Sequence, residues 1–311
     1  MKTFNSILFV AEPGAGQDVL RKAVEFAENQ QATLTLALVL EGAAGPWNAS
    51  VEQAAQKWLD GLVGVADGRV PVTTKLLHGT AFLEIIREVI RAQYDLVIKP
   101  PKPGGALAQR LLGSADMHLL RKCPVPLWIM QSAEEKRPRR VLAAVDFGPA
   151  EATSLPDPAL NRAIMETAAV VALANFAELH VCHVWDAFAE GMLRTWGSEA
   201  SGPQVNEYVE RERRWHEAQL KALLNDCEQW FGAETLEFAR PNVHLRRGSA
   251  GEVIPALADE LDVEVVVIGT IARSGVPGFF IGNTAETVMG RLRSSLLTIK
   301  PPGFVSPVEA G

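Results

Sequence analysis

A glycine-rich stretch follows the apolar run Val265–Ile268 and contains residue types that could bind an anion. Gly269, Gly275 and Gly278 let the backbone turn and bring its N–H groups toward a ligand. Arg273 adds a fixed positive charge to the same stretch. These residues together indicate a loop that could surround a phosphate group.

A helix is predicted directly after this loop, at Ala285–Arg291. The unpaired N–H groups and the dipole of a helix N-terminus favour a phosphate. Gly282, Asn283 and Thr284 precede the helix, and Asn283 or Thr284 could either cap it or bind the phosphate. The alternative is that the glycines only form turns and that Asn283 and Thr284 only cap; the spacing alone leaves both interpretations open.

The corresponding stretch in the first half of the chain is poorer in donors. The three prolines between positions 100 and 103 have no backbone N–H. Lys99 supplies charge but not a cradle of amides, and Gly113 and Ser114 are what remains of the pattern. We therefore expect the first half to bind a nucleotide weakly or not at all.

Short sequence elements recur in the same order in the two halves, which indicates a duplication. The run Ile7–Glu12 and the run Val141–Asp146 each contain five apolar residues followed by one acid. Three further pairs follow in the same order: Leu77–Ala81 with Arg246–Ala250, Asp95–Ile98 with Glu264–Val267, and Leu112–Asp116 with Ile281–Glu286. The second copy is longer, and its extra residues lie mostly in Ala150–Pro158 and Asp186–Trp215.

Near-continuous apolar runs alternate with amphipathic stretches, which is typical of parallel sheets covered by helices on both faces. Strands are predicted at Ile7–Ala11, Thr33–Val39, Val70–Leu77, Leu96–Ile98 and Val125–Met130, then at Val141–Val145, Leu179–Trp185, Val243–Arg247, Val265–Ile268 and Leu296–Ile299. Helices are predicted at Gln17–Glu28, Val51–Ala66 and Ala81–Arg91, then at Pro158–Asn175, Val205–Phe231 and Gly251–Leu261.

Each half is therefore predicted to be a doubly wound, Rossmann-like α/β domain. The first would span 1–133 and the second 139–311, joined within the polar segment Gln131–Arg140. Ligands of such sheets lie beyond the carboxyl ends of the strands. Glu12 and Asp146, which follow the first strand of each half, are thus candidate ligand-contacting acids.

Composition excludes several classes of protein. The 311 residues are 48% hydrophobic and carry a formal net charge of -7, which argues against a protein that coats nucleic acid or binds anionic membranes. No apolar run reaches the ~18–20 residues of a membrane-spanning helix, and the N-terminal run is too short for a signal peptide. The three cysteines lack metal-type spacing, so a reduced, cytoplasmic protein is expected.

The histidines give no strong indication of a metal or catalytic site. His180 and His183 lie on opposite faces of a strand, so we expect a buried strand rather than a metal cluster, with His183 near the ligand cleft. His244 is expected to be structural, and His216 is expected on the solvated face of a charged helix. Nucleophile, P-loop and zinc-protease motifs are absent from the sequence, so no catalytic residue is assigned.

The chain resembles the tandem type of the universal stress protein family, and most closely its E-type proteobacterial members. The resemblance covers nearly the whole chain and is strongest at Gly269–Gly275, Gly282–Glu286 and Leu296–Pro301. In the first half it is carried by Asp95–Lys99 and Leu119–Pro124.

The nucleotide-binding branch of this family carries the motif G-x2-G-x9-G-[S/T]. The spacing is intact at Gly269, Ala272 and Gly282, but alanine replaces the middle glycine and Asn283 replaces Ser/Thr. The methyl group of Ala272 is tolerated where φ is negative and obstructs where φ is positive. In the first half, prolines replace two of the three motif glycines.

The resemblance implies that ATP, with Mg²⁺, binds in the second half. The residues implied are Val145, Asp146, Gly248, Gly269, Thr270, Ala272, Arg273, Gly282, Asn283 and Thr284. The degenerate first-half site would contain Glu12, Lys99, Gly113 and Ser114.

The resemblance also implies that the two halves pack about a pseudo-two-fold axis, as separate subunits do in family dimers, with their last strands in contact. We expect a ligand-gated stress-response protein that interacts with a protein partner, with further homodimerisation left open. Enzymatic activity would be at most slow ATP hydrolysis. Two alternatives remain: a module that binds a lipid-like or other small molecule, favoured by the apolar stretch Val276–Ile281, and an interaction protein without a ligand.

Overall fold

One sheet of ten strands runs through the computed structural model. The structure describes residues 3–42, 48–101, 115–131, 139–148, 158–196, 202–232, 240–270 and 283–310. The strand order is β3-β2-β1-β4-β5-β10-β9-β6-β7-β8, so each half of the chain contributes five neighbouring strands. The predicted α/β class with a mostly parallel sheet is confirmed.

The first half alternates strands and helices in the predicted order. Its strands are β1 (Ser6–Val10), β2 (Thr33–Leu40), β3 (Val72–His78), β4 (Leu96–Lys99) and β5 (Leu127–Ile129). Its helices are α1 (Gln17–Gln30), α2 (Asn48–Val63), α3 (Ala81–Ala92) and α4 (Ala115–Lys122), with one 3-10 turn at Gly64–Ala66. Helix α4 was not predicted, because only eight residues form it.

The second half repeats this arrangement with an insertion. Its strands are β6 (Arg140–Val145), β7 (Glu178–Trp185), β8 (Asn242–Arg247), β9 (Val265–Gly269) and β10 (Ser295–Ile299). Its helices are α5 (Pro158–Asn175), α6 (Glu190–Trp196), α7 (Gly202–Phe231), α8 (Ala250–Glu260) and α9 (Asn283–Arg291). The short helix α6, within the predicted extra segment, was also not predicted.

The last strands of the two halves pair with each other and join the two sets of strands. Strand β10 runs antiparallel to β5, with Leu297 opposite Trp128, whereas all other neighbouring strands are parallel. The predicted contact between the last strands is therefore confirmed. The relation of the halves by a pseudo-two-fold axis stays a prediction.

Two apolar layers cover the two faces of the sheet. Helices α1, α2, α5 and α7 pack on one face, and α3, α4, α8 and α9 pack on the other. The side chains of each strand are therefore buried on both faces of the sheet, which explains the continuous apolar runs in the sequence.

The repeated glycine turns adopt the same backbone conformation in both halves. Gly79 has φ +133° and donates its N–H to Leu40 O at 3.1 Å. Gly248 has φ +139° and donates its N–H to Trp185 O at 2.9 Å. Since L side chains rarely adopt this φ, glycine is required at both positions.

Candidate functional site

The strand register places Asp146 and Gly269 at the same edge of the sheet. Ala144 in β6 lies opposite Ile268 in the parallel strand β9, so both strands end within two residues of this pair. Asp146 is exposed there, while Val145 before it is buried. Helix α9 begins at Asn283, after β9 in the chain. The structure therefore brings together the acid and the beginning of the predicted loop.

The backbone of Asp146 is held by a single side chain of α5. Asn161 accepts a hydrogen bond from Asp146 N at 3.1 Å and donates one to Asp146 O at 2.7 Å. Gly148 N donates to the carboxylate oxygen Oδ1 at 3.1 Å. Asn161 is buried, so this clamp fixes where the carboxylate leaves the sheet. The sequence pattern did not single out Asn161, because its partner lies in a different element.

Gly269 and Thr270 continue β9 against neighbouring elements. A Cβ on Gly269 would lie 2.8 Å from Cδ2 of Leu160, so glycine lets the end of this α5 side chain pack directly on the backbone of β9. Thr270 is buried, and its backbone N–H donates to Ile299 O at 3.0 Å. Its hydroxyl is within hydrogen-bond distance of the same oxygen, at 3.4 Å. The structure thus directs the Thr270 side chain into the protein rather than toward a ligand.

Helix α9 is anchored by ion pairs to both halves of the chain. Arg291 Nη1 lies 3.2 Å from Oε1 of Glu252 in α8. Glu286 pairs with Arg121 at the end of α4, across the junction of the halves. These contacts fix the helix that follows the predicted phosphate loop.

Part of the predicted site lies outside the described residues. This applies to Ala272, Arg273 and Gly282, to the side chains of Asn283 and Thr284, and to Gly113 and Ser114 of the first-half site. Gly248 is described and forms the turn after β8. The apolar stretch Val276–Ile281 also lies outside the described residues.

A cavity of about 280 Å³ adjoins Asp146 between α5 and α7. Its lining combines apolar and aromatic residues with amides and two acids: Asp146, Phe147, Pro158, Asn161, Gln219, Ala222, Leu223, Asp226 and Trp230. The aromatic and amide groups suit a flat, partly polar group, whereas the two carboxylates repel phosphate.

Two buried histidines form a hydrogen-bonded chain beside Asp146. His183 Nδ1 lies 3.1 Å from the carbonyl oxygen of Val145, so this nitrogen carries a hydrogen and donates it. His183 Nε2 lies 2.8 Å from His216 Nδ1, and in the neutral pair it accepts from that nitrogen. His216 Nε2 is then a buried acceptor without a hydrogen-bond partner among the described residues.

Burial strongly favours the neutral form of this pair. It lowers the pKa of His183, against the opposing effect of Asp146 and of the Val145 carbonyl. The pKa of His216 falls to about 4, mainly through burial and then through repulsion by His183. Both rings are therefore neutral near pH 7.

The expectation that His216 lies on a solvated helix face is wrong. His216 and Glu212 are both 2% exposed, because this side of α7 packs against β7 and its Trp185. Charged pairs do occupy the outer side of the helix, where Arg213 contacts Glu210 at 2.7 Å and Glu217 at 2.9 Å. In the sequence, the many charged residues of α7 make it difficult to recognise the narrow row of buried residues along one side of the helix.

The strand histidines have separate partners. His180 Nδ1 lies 3.0 Å from Nε2 of His244 on β8, whereas His183 contacts His216 on α7. The two side chains therefore engage different elements, as their alternation along β7 predicts.

In the first half, the ammonium group of Lys99 lies beside Glu12, the residue that corresponds to Asp146. Lys99 Nζ lies 3.0 Å from Oε2 of Glu12 and 3.2 Å from Oδ1 of Asp116. Lys99 and Asp116 are 2% and 0% exposed, and the cavity beside them measures only about 50 Å³. A buried ion cluster thus occupies the edge where the second half presents Asp146.

Comparisons with known proteins agree with the tandem architecture. The model of the universal stress protein family matches residues 3–131 and 138–300. Universal stress protein E of Escherichia coli K12 is 33% identical over 242 residues, which cover 77% of this chain and 72% of the relative. A homologue of that protein from Haemophilus influenzae is 32% identical over 219 residues, covering 70% of this chain and 65% of the relative.

Solved structures share the fold over almost the whole chain. A protein of unknown function from Pseudomonas aeruginosa PAO1 has a TM-score of 0.67 at 29% identity, covering 96% of this chain and 93% of its own. A universal stress protein from Archaeoglobus fulgidus has a TM-score of 0.65 at 17% identity, covering 96% and 97%. The second similarity concerns the fold alone.

Proposed function

The chain belongs to the universal stress protein family, which supports a role in stress response, and we propose that its second half binds an adenine nucleotide beyond the carboxyl ends of β6 and β9. The observation that carries the proposal is the clamped position of Asp146 beside Gly269. Ligands of parallel α/β sheets bind at this edge.

Each described group has a distinct role in this proposal. The Asp146 carboxylate accepts hydrogen bonds from the adenosine part of the nucleotide, and Asn161 positions that carboxylate. The N-terminus of α9 attracts the phosphates through its unpaired N–H groups. Arg273 and the motif residues Ala272, Gly282 and Asn283 would complete the phosphate contacts, as the family resemblance implies.

Mg²⁺ fits this site as a companion of the triphosphate. The described residues contain no group of three or more His, Cys, Asp or Glu side chains that could hold a metal ion. The ion would therefore be bound mainly by phosphate oxygens and water, which is its usual preference. When bound, it would neutralise phosphate charge beside an acidic protein.

The proposed activity is binding that alters an interaction, rather than turnover. Occupancy of the site would change the surface around α9 and hence the affinity for a protein partner. We place this activity in the cytoplasm, because Cys123, Cys182 and Cys227 are all unpaired and buried. Among the described residues, no helix is long and apolar enough to cross a membrane.

Calorimetric titration with ATP and Mg²⁺ tests the proposal. Asp146→Asn removes the carboxylate charge but leaves both backbone hydrogen bonds to Asn161, so it should weaken ATP at least about tenfold without unfolding the protein. Glu12→Gln is the matched control in the first half and should leave the affinity unchanged. Wild-type protein that binds no ATP at millimolar concentration would disprove the proposal.

A second candidate is an uncharged apolar ligand in the cavity between α5 and α7. Phe147, Leu223 and Trp230 favour it, since they form an apolar lining next to Asp146. Native mass spectrometry of purified protein distinguishes the candidates. A retained apolar ligand that Leu223→Phe excludes and Asp146→Asn does not would favour the second candidate over the nucleotide.

A further inference from the structure

A cavity of about 420 Å³ lies where the two halves of the chain meet. It is lined by α1, by the end of α8 and by the antiparallel pair β5 and β10. Its volume falls in the range of small-molecule sites. None of its lining residues belongs to the proposed nucleotide site.

One wall of the junction cavity belongs to the first half and offers hydrogen-bond donors. Trp128 is 2% exposed, and its Nε1 has no hydrogen-bond partner among the described residues. The ring is held edge-on by Phe26 at a centroid distance of 5.2 Å. A buried indole N–H without an acceptor is costly, so a ligand oxygen at this position would satisfy it.

Lys22 of α1 adds a cation to the same wall. Burial lowers the pKa of Lys22, while Asp18, Glu25 and Glu264 act in the opposite direction. Glu264 belongs to the second half, so the Lys22 ammonium group interacts electrostatically with the opposite wall of the cavity. Lys22 and Trp128 together favour a carboxylate, which accepts several hydrogen bonds at once.

The opposite wall belongs to the second half and is acidic. Asp259, Asp262 and Glu264 line it. Arg293 also lines the cavity but is 85% exposed and lies 4.0 Å from Asp259, so it offsets that acid. Glu264 Oε2 accepts a hydrogen bond from Arg140 N at 2.8 Å, so the other oxygen of Glu264 and the carboxylate of Asp262 are the groups that would face a positive group of a ligand.

Gln131 fixes the two walls relative to each other. Its backbone N–H donates to Ser295 Oγ at 3.0 Å. Its side-chain amide donates to Arg293 O at 2.6 Å and to Ser294 O at 3.1 Å. The end of β5 is thereby tied to the start of β10, and the cavity keeps a donor wall and an acid wall.

We propose that the junction cavity binds a small zwitterion of the amino-acid type. Its carboxylate would accept from Trp128 Nε1 and Lys22, and its ammonium group would donate to Asp262 and Glu264. A polyphosphate does not fit this charge pattern, since the acid wall repels it. The proposal is independent of nucleotide binding in the second half.

The indole resonances of the full-length protein provide a direct test. The chain has seven tryptophans, and ¹⁵N labelling gives one indole N–H signal for each. Trp128→Phe identifies the Trp128 signal by its loss, and Phe26→Leu identifies it independently by removing the neighbouring ring. The probes are the free L-amino acids, each titrated to millimolar concentration.

At least one amino acid should shift the Trp128 signal saturably. Lys22→Met, Asp262→Asn and Glu264→Gln should each weaken that ligand about tenfold, the usual effect of losing one charged hydrogen bond. Arg21→Met, at an exposed neighbour in α1 that does not line the cavity, and Asp146→Asn should leave it unchanged.

Three results would overturn the proposal. They are the absence of a saturable shift with any amino acid, full affinity in the Lys22→Met protein, and equal binding of the N-acetyl amide of the ligand, which lacks both charges. A shift that persists in Asp146→Asn while ATP binding is lost would separate this site from the nucleotide site.

Discussion

His183 and His216 share a hydrogen bond of 2.8 Å although 33 residues separate them in the chain. The bond closes a chain that begins at the carbonyl oxygen of Val145, the residue before Asp146. Helix α7 is thereby tied to the end of β6. The candidate ligand edge and helix α7 thus share a titratable contact.

Acid should destabilise the protein through this pair. The folded pKa of His216 is lowered from 6.5 to about 4, so the unfolded chain binds more protons within this interval. The free energy of unfolding should therefore decrease as the pH falls from 6.5 toward 4 and should not depend on His216 above that window. Urea unfolding at several pH values measures the slope.

His216→Gln is the variant that tests this prediction. Its amide can still donate to His183 Nε2 but does not titrate, so the slope of stability against pH should be smaller than in wild type. Ala218→Gln, at an exposed position of the same helix, is the control and should keep the wild-type slope. Identical slopes in the wild type and His216→Gln would contradict the assignment.

Lys99 should be essential for the stability of the first half. Lys99→Met removes the ammonium group that lies 3.2 Å from the buried Asp116 carboxylate, and removing one partner of a buried pair typically costs about 3–5 kcal/mol. Urea denaturation of the intact chain measures the loss.

The double variant Lys99→Met with Asp116→Asn checks the cause of that loss. It removes both buried charges, so it should be more stable than Lys99→Met alone. If the double variant were the less stable of the two, the cluster would act by packing rather than by charge compensation.

Asn161 should control nucleotide affinity through the position of Asp146. Asn161→Ala removes both hydrogen bonds to the Asp146 backbone, and ATP should bind about tenfold more weakly because the carboxylate is no longer fixed. Calorimetry gives the affinity, and thermal unfolding without ligand gives the separate structural cost. Asn175→Ala removes a matching amide at the other end of α5, where it donates to Val171 O, and should change neither the affinity nor the enthalpy of binding.

Lys300 connects the halves and should make their stability depend on alkaline pH. Its Nζ donates to Leu120 O at 2.5 Å and to Arg121 O at 3.1 Å, at the end of α4. Burial lowers its pKa from 10.5 to about 8. The unfolded chain therefore binds more protons between pH 8 and 10.5, so this group favours folding increasingly as pH rises through that window.

Lys300→Met isolates this contribution. The stability of the wild type relative to Lys300→Met should increase between pH 8 and 10.5, as measured by urea unfolding. Lys57→Met, in α2, serves as the control. A constant difference across the window would show that the buried ammonium group does not titrate there.

The sequence predicted the strands, the duplication and the edge that carries Asp146, because these depend on local apolar runs and on the topology of parallel sheets. It did not predict the burial of His216, since charged neighbours obscure the single buried stripe of α7. The sequence also did not predict the partners of Lys99 or the hydrogen bonds of Asn161 to the Asp146 backbone. Each joins residues from separate elements, and only the folded chain determines which polar groups meet.

The pairing of β5 with β10 has a consequence for how the two halves respond to dilution. In a dimer of separate subunits, contact through the last strands is lost when the protein concentration falls below the dissociation constant. Here the segment 132–138 joins the partners covalently, and a short tether gives an effective concentration on the order of millimolar. Changes in cellular abundance therefore leave the internal pair assembled.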